Sequence, residues 1–305
     1  MEDGLLLVDK SGGMTSHDVV SRCRRLLQRK DIGHAGTLDP IATGLLVLLV
    51  GKATKLSDYI LNGNKAYKTK IHLGVVTDTD DISGEVIKEN KEFSVTKEQV
   101  LEVMEQLTGE LELEVPIYSA IKVKGKKLYE KARNGEDFKP PVRVMTFWNV
   151  ELLDFGGDWL EVSFDCSKGS YVRSWVKTLG NILGCGATVE TLRRTLSQPY
   201  GVEKSIEFSD LEDKTKEELE ESSAWIPLNK TLPDWPSVKI EGMDEKLISN
   251  GQIPRKLERY LEVQFAGQKG VKGVKILSRR SGRLISLLSH EPPLSFKIRR
   301  VFPNQ

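Results

Sequence analysis

Apolar residues in the first part of the chain recur first at the spacing of a strand and then at the spacing of a helix. Leu5 to Val8 form a short apolar run that is closed by turn-forming residues, which predicts a β-strand. A hydroxyl cap at Thr15 or Ser16 and apolar residues three and four positions apart then predict an amphipathic helix. These apolar residues are Val19, Val20, Cys23, Leu26 and Leu27. The chain is therefore expected to open with a strand followed by a helix.

The pattern from residue 45 to residue 183 predicts further strands and helices in mixed order. Periodicity leaves the apolar run 45–50 open between a buried strand and a helix. Alternation and turn signals predict strands, the last two joined by a glycine pair, at 65–74, 142–153 and 159–166. Helical spacing, with Thr96 as one cap and Gly184 as one stop, predicts helices at 53–61, 95–107 and 171–183.

The last third of the chain changes in character. An acidic helical stretch at 210–221 and a proline-bearing linker at 227–236 precede short alternating runs punctuated by glycine. We interpret these runs, at 260–265, 271–278, 283–288 and 296–302, as the strands of a small β-barrel or sandwich. We therefore predict two domains, at residues 1–233 and 234–305. Strands and helices mix without regular alternation, which favours an α+β fold.

Composition narrows the class without naming a partner. The 305 residues carry 45 Lys and Arg against 44 Asp and Glu, so net charge does not indicate a nucleic-acid ligand, and any RNA affinity must come from local basic clusters. Three scattered cysteines fit neither a disulfide framework nor a metal site, which favours the reducing cytoplasm. The longest apolar run, 45–50, is far shorter than the roughly 20 residues that a membrane-spanning helix needs, and no secretory leader pattern is present.

The stretch from Gly33 to Pro40 holds the strongest candidate for chemistry. Two glycines, His34 and a proline surround Asp39, and an irregular loop of this kind on a rigid scaffold is a frequent place for a reactive side chain. The alternative is a turn in which Asp39 caps a following helix. A phosphate-binding loop is not indicated, because Gly51-Lys52-Ala53 lacks both the leading glycine and the hydroxyl of that motif. Nor do the four histidines have metal-ligand spacing, so we expect no metal and no cofactor.

Several segments in order resemble the TruB pseudouridine synthases. The segment Gly33-His34-Ala35-Gly36-Thr37-Leu38-Asp39-Pro40 is similar to the family motif around its catalytic aspartate. Further similar segments lie at 7–20, 50–55, 65–67, 77–80, 116–122, 166–174 and 192–195. The chain departs from the usual pattern at Leu113 and Val115, where most members have Gln and Pro. The resemblance implies a mixed, mainly antiparallel sheet flanked by helices and an enzyme that isomerises uridine in the tRNA T loop, at position 55.

The resemblance also assigns roles to individual residues. It implies that Asp39 is the attacking carboxylate, that Tyr67 stacks on the flipped base, and that Arg173 is the ion-pair partner of Asp39. Without the resemblance, Tyr67 would be an ordinary strand aromatic with its hydroxyl at the surface. An ordinary structural role is likewise the alternative for the remaining pocket residues. The resemblance makes His34 a wedge in the space that the flipped nucleotide leaves, with Tyr171 and Leu192 as walls of the pocket. Whether Asp39 attacks C6 or C1′, or the base leaves by a glycal route, stays open.

For RNA recognition, the resemblance implies a basic insertion near residues 112–140 that clamps tRNA, and a C-terminal PUA-like domain. The expected RNA contacts are Lys122, Lys124, Lys126, Lys127 and Arg193. A monomer without a protein partner is expected. The competing hypothesis is a catalytically silent RNA-binding or tRNA-folding protein on the same scaffold, and the presence of Asp39, Tyr67 and Arg173 argues against it.

Overall fold

A computed structural model describes residues 2–119, 121–123, 126–128, 138–265, 270–291 and 295–303. The strands in the described residues are β1 Gly4–Lys10, β2 Ile32–Ala35, β3 Thr43–Val50, β4 Lys65–Leu73, β5 Val75–Thr77, β6 Val86–Glu89, β7 Gly109–Glu114, β8 Lys122–Val123, β9 Lys126–Lys127, β10 Val142–Phe155, β11 Trp159–Cys166, β12 Ala187–Ser197, β13 Tyr200–Gly201, β14 Ile206–Glu207, β15 Trp225–Pro227, β16 Ser237–Ile240, β17 Gly273–Ser278, β18 Leu284–Glu291 and β19 Ser295–Val301. The α-helices are α1 Ser16–Leu26, α2 Ser57–Leu61, α3 Lys97–Gln106, α4 Val172–Ile182, α5 Lys216–Glu221, α6 Met243–Ser249 and α7 Arg255–Phe265.

The main sheet has the strand order β14-β1-β3-β12-β4-β11-β10-β7, with β2, β13 and β15 pairing beside this path. Its pairs are antiparallel except β1 with β14 and β3 with β12. The apolar run that periodicity left open is β3, a strand flanked by β1 and β12. Seven of its eight residues are buried. In a strand that is covered on both faces, no position points to solvent, so polar residues do not alternate with apolar ones. This explains the continuous run of apolar residues.

Helices α3 and α4 pack against the sheet over an aromatic core. The ring of Phe164 in β11 lies 5.4 Å from that of Phe147 in β10 and 5.3 Å from that of Trp175 in α4, measured between centroids. The Trp175 indole N–H donates a hydrogen bond of 2.9 Å to the carbonyl of Leu107, just beyond α3. Helix α4 is therefore fixed on the sheet, and its first turn carries Arg173 into the site.

The residues after Asp234 form a second, four-stranded sheet with the order β16-β17-β18-β19. Its own core includes residues of α6 and α7, among them Ile248, Leu257 and Leu261. The predicted strand at 260–265 is wrong, because these residues belong to helix α7. Leu257 and Leu261, four positions apart, are buried, and the helical period of residues 255–265 outweighs the short alternation at its end.

This second sheet also packs on the first. Leu277, Leu284, Leu287 and Phe302 join the main hydrophobic core. The Lys52 ammonium donates a hydrogen bond of 2.8 Å to the carbonyl of Pro303. No helix of the described residues is long and apolar enough to cross a membrane.

Candidate active site

Asp39 lies in the loop that joins β2 to β3, residues 36–42, which we call the Asp39 loop. The loop opens at Gly36, whose φ of 98° lies in the region that favours glycine, and the Ala42 amide donates a hydrogen bond of 3.0 Å to the Asp39 carbonyl. Asp39 is followed by strand β3 and not by a helix. The alternative of a helix-capping aspartate is therefore wrong.

Arg173 contacts the Asp39 carboxylate at two points. Its Nη2 donates a hydrogen bond of 3.1 Å to Oδ1, and its Nε lies 2.9 Å from Oδ2. The Arg173 side chain is 5% exposed, whereas that of Asp39 is 33% exposed. The guanidinium is thus the buried partner, and the carboxylate stays open to solvent and to a ligand.

The remaining Arg173 contacts fix the guanidinium from behind. Nη1 donates to the Thr79 carbonyl at 2.9 Å, and Nη2 donates to the Tyr118 carbonyl at 3.0 Å. A second carboxylate oxygen, Oδ2 of Asp81, lies 3.8 Å from Nη1. Two loops that are distant in the sequence therefore hold Arg173 in the orientation in which it meets Asp39.

Burial and the neighbouring cations act in opposite directions on the pKa of Asp39. Desolvation raises the pKa of Asp39 above its ordinary value, and the nearby charge of Asp81 acts in the same sense. The Arg173 guanidinium and, more weakly, the Lys10 ammonium oppose this rise. The contact with Arg173 favours the carboxylate form, which is the form able to attack.

The Asp39 loop is anchored by two side chains, Ser16 and Lys10, that the sequence motifs did not connect with the site. The Leu38 amide donates a hydrogen bond of 2.8 Å to Ser16 Oγ. The buried Lys10 ammonium donates to the carbonyls of Met14 at 2.8 Å and of Pro40 at 3.3 Å, and desolvation lowers the pKa of Lys10 to about 8. The available signal was a lysine at the end of a largely apolar strand.

Arg194 is a further anchor of the loop. It lies in the segment 192–195 that resembles the family, and the resemblance assigns it no role of its own. Its guanidinium donates hydrogen bonds to the carbonyls of Leu45 at 2.7 Å, Gly36 at 3.0 Å and Thr37 at 3.4 Å. The Arg194 side chain is buried. The available signal was a pair of adjacent arginines in a strand, since neighbouring positions face opposite sides of a sheet and one of them must face the core.

Tyr67 lies in β4 between β11 and β12. It is directly opposite Phe164 on one side and Arg194 on the other, and the Tyr67 and Phe164 rings are 6.5 Å apart at 49°. Burial raises the pKa of Tyr67, and the Arg194 charge opposes this rise. Leu192, two positions from Arg194 in β12, is buried. Residues two apart in a strand share a face, so Leu192 lies on the face of Tyr67.

His34 lies in β2 just before the Asp39 loop, and Tyr171 lies just before helix α4. His34 lies in β2 opposite Leu48, and burial, followed by the charge of Arg194, lowers its pKa. Its Nδ1 is buried and has no hydrogen-bond partner in the described residues. Tyr171 immediately precedes α4, and burial raises the pKa of its hydroxyl. Neither residue has a described hydrogen bond to the Asp39 carboxylate, and the charges of Arg173 and Asp39 act on Tyr171.

Of the predicted RNA-contacting residues, Arg193 is separated from this group. Arg193 faces the side of the sheet opposite Arg194 and Tyr67, and its guanidinium binds the Asp9 carboxylate at two points, one of 3.0 Å. In the basic insertion, β8 and β9 pair as a hairpin that contains Lys122, Lys126 and Lys127, and Lys124 lies outside the described residues. The departures at Leu113 and Val115 are both buried, so these side chains pack in the core.

Among the residues that the structure describes, no group of three or more His, Cys, Asp or Glu side chains could hold a metal ion. The reactive groups of the described site are the Asp39 carboxylate, paired with the Arg173 guanidinium, and the aromatic ring of Tyr67. The expectation of no metal and no cofactor stays a prediction.

The fold and this site define a class of RNA-modifying synthases that is recognisable from known proteins. The model of the TruB family pseudouridylate synthase N-terminal domain matches residues 24–172, and that of the tRNA pseudouridylate synthase B C-terminal domain matches residues 173–234. The chain belongs to the TruB family of pseudouridylate synthases. The resemblance seen in the sequence motifs and the expected α+β fold class are thereby confirmed.

Curated relatives and a solved structure agree with this assignment. The tRNA pseudouridine synthase B of Bdellovibrio bacteriovorus is 43% identical over 300 residues, which cover 98% of this chain and 97% of the relative. That of Bacillus cytotoxicus is 39% identical over 82% of this chain and 84% of the relative. A crystal structure of a Cbf5-Nop10-Gar1 complex is similar with a TM-score of 0.71 and 25% identity, over 98% of this chain and 85% of that one.

Proposed function

We propose that this protein isomerises uridine to pseudouridine in the T loop of tRNA, at position 55, with Asp39 as the attacking carboxylate. The observation that carries the proposal is the Asp39–Arg173 pair, in which a buried guanidinium presents a partly exposed carboxylate. Family membership and the names of the relatives support the reaction and the tRNA substrate.

The reaction needs a nucleophile and a pocket for a rotating base. The bond between C1′ and N1 of the uridine breaks, the uracil turns, C5 bonds to C1′, the C5 proton leaves, and N1 takes up a proton. The product is an isomer, so the reaction consumes no oxidant and no external energy. Attack at C6, attack at C1′ and a glycal route are all compatible with a carboxylate at Asp39. Arg173 keeps the carboxylate ionised and oriented in each of them.

The residues that form the walls of the base pocket are assigned from their places in the sheet and beside helix α4. Tyr67 stacks on the flipped uracil, and Tyr171 and Leu192 line the pocket. Flipping a base costs a few kcal/mol, which stacking of about 1 to 3 kcal/mol per base offsets. His34 fills the space that the nucleotide leaves. Burial and the Arg194 charge lower its pKa, which favours an uncharged wedge over a proton donor.

Recognition of tRNA is divided between two parts of the chain. We assign residues 1–233 to catalysis, with the β8–β9 hairpin in a clamp near 112–140, and residues 234–305 to a PUA-like unit. The separate hydrophobic core of the second sheet supports this division. A T loop is a folded shape with splayed bases, which proteins read specifically. The protein acts as a monomer in the cytoplasm, and its three buried free cysteines fit a reducing compartment.

The proposal is tested by tritium release from tRNA labelled at C5 of uridine. Release is expected from wild-type tRNA and is expected to stop when position 55 carries cytidine, while other uridines stay labelled. Equal release from both substrates would refute the position. Binding of tRNA without any release would favour the silent tRNA-folding protein.

A further inference from the structure

Arg194 is a buried cation without a carboxylate partner in the described part of the chain. Its side chain is 1% exposed, and no Asp or Glu oxygen described by the structure lies within 4.0 Å of its guanidinium. Burying a charge is costly, and three hydrogen bonds to backbone carbonyls help to compensate for it here. Methionine would fill the same space without that cost, so packing does not account for an arginine at this position.

The three carbonyls that Arg194 binds lie on both sides of Asp39. Gly36 and Thr37 begin the Asp39 loop, and Leu45 lies in β3 beyond its end. The backbone of Arg194 lies against Gly44, where an added Cβ would come within 2.3 Å of the Arg194 carbonyl oxygen. One planar group therefore ties the entry and the exit of the loop to β12.

Arg194 is also the direct neighbour of Tyr67 in the sheet. The two residues are paired across β12 and β4, and the charge of Arg194 opposes the effect of burial on the pKa of Tyr67. Arg194 thus binds the loop of the nucleophile and lies beside the residue that is proposed to stack on the base.

We propose that Arg194 is a positioning residue, which fixes the Asp39 loop and the Tyr67 ring in one mutual geometry. This inference rests on the proposed function. Displacement of a reacting group by 1 Å costs about 100-fold in rate, so loss of this link acts on the chemical step. Lysine keeps the charge but lacks the planar fork of donors that binds three carbonyls at once.

The experiment compares Arg194→Lys and Arg194→Met with a matched control, Arg24→Lys. Arg24 also grips a backbone carbonyl, that of Ile32 in β2, at 2.6 Å, but it does not contact the Asp39 loop. Three quantities are measured: the single-turnover rate at saturating tRNA, the Kd for tRNA, and amide hydrogen exchange of residues 36–39.

Arg194→Lys is expected to lower the single-turnover rate by about 100-fold while Kd stays within about threefold, and to speed exchange at residues 36–39. Arg24→Lys should leave all three unchanged. A rate for Arg194→Lys within threefold of wild type would overturn the proposal, as would unchanged exchange. Circular dichroism reports folding. Loss of folding in both Arg194 variants would also overturn it, because Arg194 would then be a residue of the fold and not of the site.

The two proposals fail in different ways. Absence of tritium release by the wild-type protein would refute the proposed isomerisation. The exchange measurement does not need turnover, so it still decides whether Arg194 orders the Asp39 loop.

Discussion

The guanidinium of Arg173 meets the carboxylate of Asp39 through two of its nitrogens, Nη2 at 3.1 Å from Oδ1 and Nε at 2.9 Å from Oδ2. Backbone carbonyls of Thr79 and Tyr118 accept its other hydrogen bonds. Arg173 is therefore fixed from several sides, and it holds the partly exposed carboxylate in one orientation. This arrangement makes the site sensitive to the shape of the cation as well as to its charge.

Arg173→Lys is expected to lower the isomerisation rate by at least about 100-fold, because an ammonium cannot replace the planar contact and the carboxylate loses its orientation. The Kd for tRNA should change little, since Arg173 is buried behind Asp39. Single-turnover tritium release and filter binding check the two quantities. A near-normal rate in this variant would show that the pair does not orient the carboxylate.

Acidification is expected to reduce the rate. Desolvation raises the pKa of Asp39, so the carboxylate takes up its proton at a higher pH than free aspartate, whose pKa is about 3.9. The rate should fall with a midpoint above that value as pH decreases. The check is the single-turnover rate across pH, with tRNA binding measured in parallel. A midpoint at or below the ordinary value would contradict the effect of burial.

The contributions of the ring and the hydroxyl of Tyr67 can be tested separately by substitution. Tyr67→Phe keeps the ring and should bind tRNA as wild type does, so a large loss of rate would implicate the hydroxyl that lies near Arg194. Tyr67→Leu removes the stacking surface and should weaken binding by about 1 to 3 kcal/mol. Filter binding of both variants gives the comparison. Unchanged affinity of Tyr67→Leu would argue against the stack.

Truncation after Asp234 is expected to destabilise the remaining chain and expose apolar surface. Three apolar side chains of the second sheet join the main core, as does Phe302 just beyond β19, which is 1% exposed there. Gel filtration and circular dichroism should show aggregation or lost structure. A folded, monodisperse truncated protein would instead show that the second sheet is dispensable for folding, and its tRNA affinity would then report the contribution of the PUA-like unit.

The sequence motifs led to Asp39, Tyr67 and Arg173, and the structure brings these residues together around one loop. The motifs did not reveal the roles of Lys10 and Arg194, because those depend on which face of a strand meets the core. Adjacent arginines look alike in a sequence, whereas the register of β12 against β4 places only Arg194 at the site.

The wrong prediction at 260–265 and the open one at 45–50 have different causes. The short alternation at 260–265 resembled a strand, yet Leu257 and Leu261 anchor a helix through contacts with the second sheet. The apolar run of β3 was ambiguous because a strand buried on both faces loses its alternation. For β3, packing between distant segments decided the structure, and local periodicity did not contain that information. For α7, the helical period of residues 255–265 was present in the sequence and outweighed the short alternation at its end.

The most direct measurement is tritium release from C5-labelled tRNA by Asp39→Asn, with tRNA binding measured on the same preparation. The amide keeps the size of the side chain and removes the negative charge. The variant is expected to bind tRNA with nearly wild-type affinity and to release no tritium above background. Substantial release by a folded Asp39→Asn protein would contradict the assignment of Asp39 as the attacking carboxylate.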